Sequence, residues 1–309
     1  MTTDSIRQQY RKIIALLDRK ELASALSQLD TFLQGINDWP LHEELDEIKT
    51  SYEYMLAYLK NGSEDPQRHS LHKQLLARAY RMSDRIRLLH FRQTETTLLA
   101  ENLRTQQQLP PRPLQELLLE LELFHDTAPS LPSLSEAGLQ ELLTSAERHE
   151  QARRGLFYST WASYFWTPAD KENAQALLTS EKVASLDKQL FISALTLSLF
   201  DHFDPQKAEL LLQTLLQTSS PDEDAALYAR LLTGTALTAY FHARQFALYP
   251  SVSALLDLLR DKPHFASSLA TLQLQLLYSR ESPKTEVRIK EEILPDFISR
   301  TKKQMDKFH

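Results

Sequence analysis

Apolar residues recur every three or four positions along most of this chain, which is the spacing of one face of an α-helix. A first helix is predicted from Thr3 or Asp4 to about Asp18. A second is predicted from about Lys20 to Gly35, because glycine is common just past the end of a helix. The two apolar stripes predict an antiparallel hairpin and consist of Ile6, Tyr10, Ile13, Ile14 and Leu17, and of Leu22, Leu26, Leu29 and Leu33.

Two further helices are predicted before the proline-rich segment at 105–113. A third begins at Asp38-Trp39-Pro40 and ends at Gly62, since proline costs little in the first turn of a helix. A fourth begins near Pro66 and meets no helix-breaking residue before Pro110. The segment TQQQLPPRP (105–113) then cannot continue a helix. We therefore predict a helical-hairpin domain over 1–107, a proline-rich joint with one helix over 108–135, and a helical array over 136–309.

The predicted array carries an internal repeat. The segment LFISALT at 190–196 returns as LTGTALT at 232–238. Prolines also follow each apolar helix at similar distances and are expected to open the next one, at Pro168, Pro205, Pro250 and Pro283. Periods of this size are typical of stacked helical hairpins.

Composition favours an all-α fold. The chain has 58 Leu and 10 Ile but only 3 Val, whereas strands are rich in β-branched and aromatic residues. The five glycines, at positions 35, 62, 138, 155 and 234, lie too far apart to form the glycine-rich loops of Rossmann and P-loop nucleotide sites. We predict about thirteen helices, arranged as stacked hairpins in an α-solenoid.

The segment FDPQKAELLLQTLLQTSSPDEDAALYARLLTGTALTAYF (203–241) resembles a HEAT-type repeat. Its first helix, short turn and second helix with an acidic first turn carry the resemblance, which extends over about 150–283. The N-terminal hairpins are more similar to tetratricopeptide-style pairs, although the Trp, Gly, Tyr and Pro signature of that repeat is absent. The whole resembles uncharacterised bacterial helical-repeat proteins, and this resemblance implies scaffolding or partner binding through a curved surface.

Motifs for catalysis and for cofactor or metal binding are sparse, and no cofactor and no metal are expected. The chain lacks cysteine, so it has no thiol nucleophile and no cysteine-ligated metal. The only helical ExxH step ends at His125, and a di-iron bundle needs two. His69 and His72 lie three positions apart but have no evident third ligand. Ser185 and Lys188 match SxxK without the accompanying elements of that enzyme class.

A basic stripe on the fourth helix is the first candidate binding surface. At 100° per residue, four arginines fall within about 60° of one another: Arg78, Arg81, Arg85 and Arg92. They could hold phosphates or an acidic partner. We favour an intramolecular alternative, in which the acidic third helix lies beside them. The overall net charge of −6 also argues against nucleic acid as the partner.

The aromatic segment FYSTWASYFW at 157–166 is the second candidate surface. Its spacing wraps most of a helix, and a helix that is apolar on several sides is normally buried. We therefore predict that it is core between the two halves, with Tyr158 and Tyr164 reaching the surface as candidate partner-binding residues.

The function predicted first is non-enzymatic binding of a protein or peptide through a helical-repeat surface. Nucleic-acid binding through the basic stripe and a helical enzyme with a site assembled from distant residues are the alternatives. The charged N-terminus and the lack of a long apolar run predict a cytoplasmic protein without a membrane span.

Overall fold

The computed structural model describes residues 2–60, 67–94, 112–127, 136–218, 224–288 and 291. Within these ranges the chain forms thirteen α-helices and no β-strand, which confirms the predicted all-α class. The helices are α1 (Thr3–Asp18), α2 (Leu22–Leu33), α3 (Trp39–Lys60), α4 (Arg68–Thr94), α5 (Leu114–Thr127), α6 (Glu136–Trp161), α7 (Pro168–Thr179), α8 (Ser185–Asp201), α9 (Pro205–Gln217), α10 (Ala225–Phe241), α11 (Ala243–Phe246), α12 (Pro250–Arg260) and α13 (Phe265–Arg288).

Helices α1 to α4 pack around one apolar core. Helix α4 contacts each of the first three, and α2 contacts both α1 and α3. Helices α1 and α2 contact each other across a short connection, which confirms the predicted hairpin. Gly35 follows α2 with a φ of 85°, a conformation that favours glycine. The largest fully buried side chains of this core include Ile6, Ile13, Leu17, Leu22, Leu29, Phe32, Leu33, Leu41 and Leu45.

The next six helices contact one another in two rows. In one row α5 contacts α7 and α7 contacts α9, and in the other α6 contacts α8 and α8 contacts α10. Helices α6, α8 and α10 end at Trp161, Asp201 and Phe241, which are evenly spaced along the chain. Helices α8, α10 and α13 begin at Ser185, Ala225 and Phe265, with the same spacing. These boundaries recur every 40 residues, whereas the LFISALT and LTGTALT segments lie 42 residues apart, so the internal repeat remains a prediction.

Prolines begin three helices after residue 150, as the sequence predicts. Pro168 is the first residue of α7, which is preceded by a capping box between Thr167 and Asp170. Pro205 begins α9 behind the side-chain cap of Asp204, and Pro250 begins α12. In each case proline occupies the first turn, where its missing N–H has no helical partner to lose.

The chain divides into two compact units, residues 1–258 and 259–309. Within the first unit, helices from both sides of the predicted joint touch: the Arg87 guanidinium of α4 binds Asp201 of α8, and Arg244 donates to the carbonyl of Asp18 over 2.8 Å. In the second unit, the middle of α13 exposes Leu274, Leu277 and Tyr278. The division at 108–135 remains a prediction: one helix, α5, lies within this segment, and residues 108–111 and 128–135 lie outside the described residues.

Three expectations need correction or fall outside the structure. Pro283 does not open a helix but lies inside α13, which begins at Phe265; a proline in a helix removes one backbone hydrogen bond without having to end it. The segment 157–166 is not one helix, because α6 ends at Trp161. The predicted continuation of the fourth helix towards Pro110 lies outside the described residues, since α4 is described only to Thr94. No helix in the described part of the chain is long and apolar enough to cross a membrane.

Candidate peptide-binding cleft

The first unit contains a cleft of about 360 Å³. Its walls come from three places in the sequence: the middle of α4, the turn between α6 and α7, and the residue before α3. The lining residues are Asp38, Arg81, Arg85, Leu89, Tyr164 and Phe165. Three of the residues predicted from the sequence, Arg81, Arg85 and Tyr164, thus meet at one cleft.

Helix α4 places its arginines beside its apolar stripe. Leu75, Met82 and Ile86 are buried in the core of the first four helices. Arg81 and Arg85 are one helical turn apart, so their side chains lie next to each other on the neighbouring face. The helical spacing of the sequence therefore determines this side of the cleft.

Two of the arginines bind the acidic helix α3. Arg78 donates to Glu47 over 2.8 Å, and Arg85 donates to Glu44 over 3.2 Å. Glu44 also lies 4.0 Å from the Nε atom of Arg78. The predicted intramolecular pairing is confirmed for Arg78 and Arg85. Arg78 is therefore a contact between α3 and α4 rather than part of the cleft.

Arg81 behaves differently from its neighbours. Its guanidinium carbon lies 4.3 Å above the centre of the Phe165 ring, which is a cation–π geometry. Among the residues that the structure describes, no carboxylate lies within 4.0 Å of this guanidinium. Because the ring covers only the face of the guanidinium, its exposed N–H edges remain able to donate hydrogen bonds.

The turn that carries Tyr164 and Phe165 is held by a buried lysine. The Lys207 ammonium is fully buried and donates to the carbonyls of Ser163 and Tyr164 over 2.9 and 2.8 Å. Its third hydrogen bond goes to the hydroxyl of Ser198 over 2.8 Å. Burial lowers the pKa of Lys207 to about 8, although the negative charge of Asp204 acts to raise it. Lys207 thus holds the backbone of the turn whose side chains, Tyr164 and Phe165, form the aromatic wall of the cleft.

The same turn has a second anchor next to the lysine. The backbone N–H of Trp166 donates to the Asp204 carboxylate over 2.6 Å, and the Trp166 ring stacks on Phe191. Buried polar partners thus hold residues 163–166 in a non-helical conformation, which explains why the helical prediction for this segment was wrong. The periodicity of the aromatic residues gave no sign of Lys207 or Asp204, which lie two helices further along the chain.

A buried polar network lies between α1, α4 and α8. The Tyr10 hydroxyl donates to Asp84 over 2.6 Å, and Arg87 donates to the Asp201 carboxylate over 3.1 Å. Burial raises the pKa of Asp84, although the charge of Arg87 opposes the rise. Burial would also raise the pKa of Asp201, but His202 and Arg87 hold it below its ordinary value. Sequence spacing gave no signal for these four residues, since three separate elements contribute them.

The remaining predicted site residues do not reach this cleft. Tyr158 is 42% exposed and lines a second cleft of about 240 Å³, whose other walls include Arg153, Arg154 and Leu190. The side chain of Arg92 lies outside the described residues. The two tyrosines that were predicted to reach the surface therefore line different clefts.

His149 and Asp187 form a pair that the sequence did not predict. Nε2 of His149 lies 2.9 Å from Oδ2 of the buried Asp187, and Oδ1 of the same carboxylate lies 2.8 Å from Nε of Arg153. The His149 ring also stacks on Phe124. In the described part of the chain, no group of three or more His, Cys, Asp or Glu residues is arranged to hold a metal ion.

Comparisons with protein-family models, with curated proteins and with solved structures found no match to this chain. The resemblance to HEAT-type and tetratricopeptide-style repeats therefore remains a prediction from the sequence.

Proposed function

We propose that this chain is a non-enzymatic scaffold of stacked helical hairpins, an α-solenoid, that binds a peptide segment of a partner protein in the cleft around Arg81. Three arrangements support the solenoid: the two rows of contacting helices, the evenly spaced helix boundaries, and the prolines that begin α7, α9 and α12. Each repeat of such an array packs against its neighbours and leaves a surface for a partner.

The observation that carries the binding proposal is the state of Arg81. Its guanidinium lies over Phe165 in the lining of the cleft, and no carboxylate among the described residues lies within 4.0 Å of it. Arginine and aromatic side chains together are the residues that contribute most to the energy of protein interfaces. The cleft combines both kinds of group with the apolar side chain of Leu89.

Selection from a library of random peptides displayed on phage tests this function. Selection on the immobilised protein should recover peptides whose binding is lost in Arg81→Glu. The control is Arg230→Glu, which makes the same charge change at an exposed position of α10. Peptides that bind both variants equally would show that this cleft is not the binding site. Tighter binding of a single-stranded oligonucleotide than of any selected peptide, also lost in Arg81→Glu, would replace the proposal by nucleic-acid binding.

A further inference from the structure

The arrangement of Arg81, Arg85 and Glu44 also specifies which peptides the cleft should bind. Arg81 and Arg85 lie one helical turn apart, so a single carboxylate placed between them can accept hydrogen bonds from both guanidiniums. Arg81 is available for such a contact. Arg85 already donates a hydrogen bond to Glu44 of α3 over 3.2 Å.

We propose that the cleft binds an acidic residue flanked by aromatic or aliphatic residues, and that Glu44 competes with this ligand for Arg85. This inference rests on the proposed function and assigns the ligand of that same cleft. In the free protein, the Glu44 carboxylate then occupies the place that the ligand carboxylate takes at Arg85 on binding.

The charges around the cleft support one carboxylate as the ligand group. The lining contains two arginines and one aspartate, Asp38, which also accepts a hydrogen bond from the backbone N–H of Leu41 over 3.2 Å. The lining alone therefore carries one net positive charge, and Glu44 beside it neutralises that charge. A single ligand carboxylate that displaces Glu44 from Arg85 matches this one positive charge, whereas a phosphate group with two negative charges would exceed it.

The other lining residues, which are aromatic or aliphatic, indicate which residues of the peptide should flank its carboxylate. Phe165, Tyr164 and Leu89 line the cleft next to the two guanidiniums. All three are partly exposed, so a side chain that covers them gains hydrophobic free energy on binding. The residues next to the ligand carboxylate are therefore expected to be aromatic or aliphatic.

The neighbouring pair of Arg78 and Glu47 supplies a matched control. Glu47 lies one turn along α3 from Glu44 and pairs with Arg78, which does not line the cleft. Glu44→Gln and Glu47→Gln thus remove the same charge from the same helix, but only the first frees a guanidinium of the cleft.

The experiment measures binding of a labelled peptide, Gly-Ser-Phe-Glu-Phe-Ser-Gly, and of its counterpart with Gln in place of Glu. We expect the Glu peptide to bind about tenfold more tightly, as charge-assisted hydrogen bonds do, and Arg81→Gln to remove this preference. In Glu44→Gln the affinity for the Glu peptide should rise about two- to fivefold, the range expected of a half-exposed ion pair. In Glu47→Gln it should stay unchanged.

Equal effects of the two glutamate variants, or weaker binding in Glu44→Gln, would overturn the competition. Equal binding of the Glu and Gln peptides would overturn the assignment of an acidic ligand. In both cases the scaffold function survives if peptides selected from the library still require Arg81. If no selected peptide requires Arg81, the proposed function itself fails.

Discussion

Gly234 of α10 packs directly against the hydroxyl of Thr196 on α8, so closely that a Cβ atom on this glycine would overlap the hydroxyl oxygen. The Thr196 hydroxyl in turn donates to the carbonyl of Ile192 over 2.8 Å. At this contact between α8 and α10, a glycine thus meets a small, hydrogen-bonded side chain.

Gly234→Ala is expected to lower the free energy of unfolding by about 1–3 kcal/mol, because the added methyl group overfills a close contact. This loss outweighs the gain of up to about 1 kcal/mol that alanine brings in a helix. Urea denaturation measures the change. Combining it with Thr196→Ala should restore much of the loss. A double variant no more stable than Gly234→Ala would show that this contact does not limit the packing of α8 on α10.

The two tryptophans of the aromatic segment should differ in their effect on stability. Trp166 is 7% exposed, stacks on Phe191 and donates its indole N–H to Ser163 over 3.0 Å. Trp166→Ala should therefore cost about 3–5 kcal/mol of the free energy of unfolding. Trp161 ends α6 and is only partly buried, so Trp161→Ala should cost clearly less. Equal losses in thermal or urea denaturation would contradict this ranking.

Sequence periodicity predicted the parts of this fold that depend on local chemistry. The apolar spacing, Gly35 and the prolines at 168, 205 and 250 mark helix faces and boundaries, because each acts on the backbone within a few residues of itself. The same spacing predicted that Arg81 and Arg85 share a face of α4, and the acidic residues of the third helix predicted that helix as the partner of the basic stripe.

The rest of the cleft depends on contacts between residues far apart in the chain. Phe165 reaches Arg81 only because Lys207 and Asp204 hold the turn at 163–166 outside a helix. Both are charged residues that would ordinarily be expected at the surface. No periodic pattern marks a charged residue as buried, so the wall that completes the cleft could not be predicted from the sequence.

Lys207→Met should open the turn that carries Tyr164 and Phe165. The ammonium makes three hydrogen bonds in a fully buried position, and methionine leaves their acceptors without a partner. We expect a loss of about 2–4 kcal/mol in the free energy of unfolding. Amide hydrogen exchange in 162–166 should become faster, and the Glu-containing peptide should bind more weakly although Arg81 is unchanged. Unaltered exchange in this segment would show that Lys207 does not position the cleft.

Stability should fall in acid through His242, which follows α10. Burial lowers the pKa of His242 to about 4, although its hydrogen bond to the carbonyl of Leu199, over 2.6 Å, opposes this shift. An unfolded chain protonates the same ring near pH 6.5. Between these two values the unfolded state binds more protons than the folded state, so the stabilisation present above about pH 6.5 is lost as the pH falls towards about 4.

The His242→Gln variant isolates this effect, because an amide can still donate to Leu199 but does not titrate. At neutral pH the variant should be less stable than the parent protein, and the difference should shrink by about 2–3 kcal/mol by pH 4. Urea denaturation of both proteins across this pH range measures the difference, and the carboxylates and the other histidines cancel in the comparison. Parallel pH profiles would contradict the prediction. They would mean that the His242 ring accepts its proton in the folded protein as readily as in the unfolded chain, and hence that the junction between α10 and α8 admits a charge.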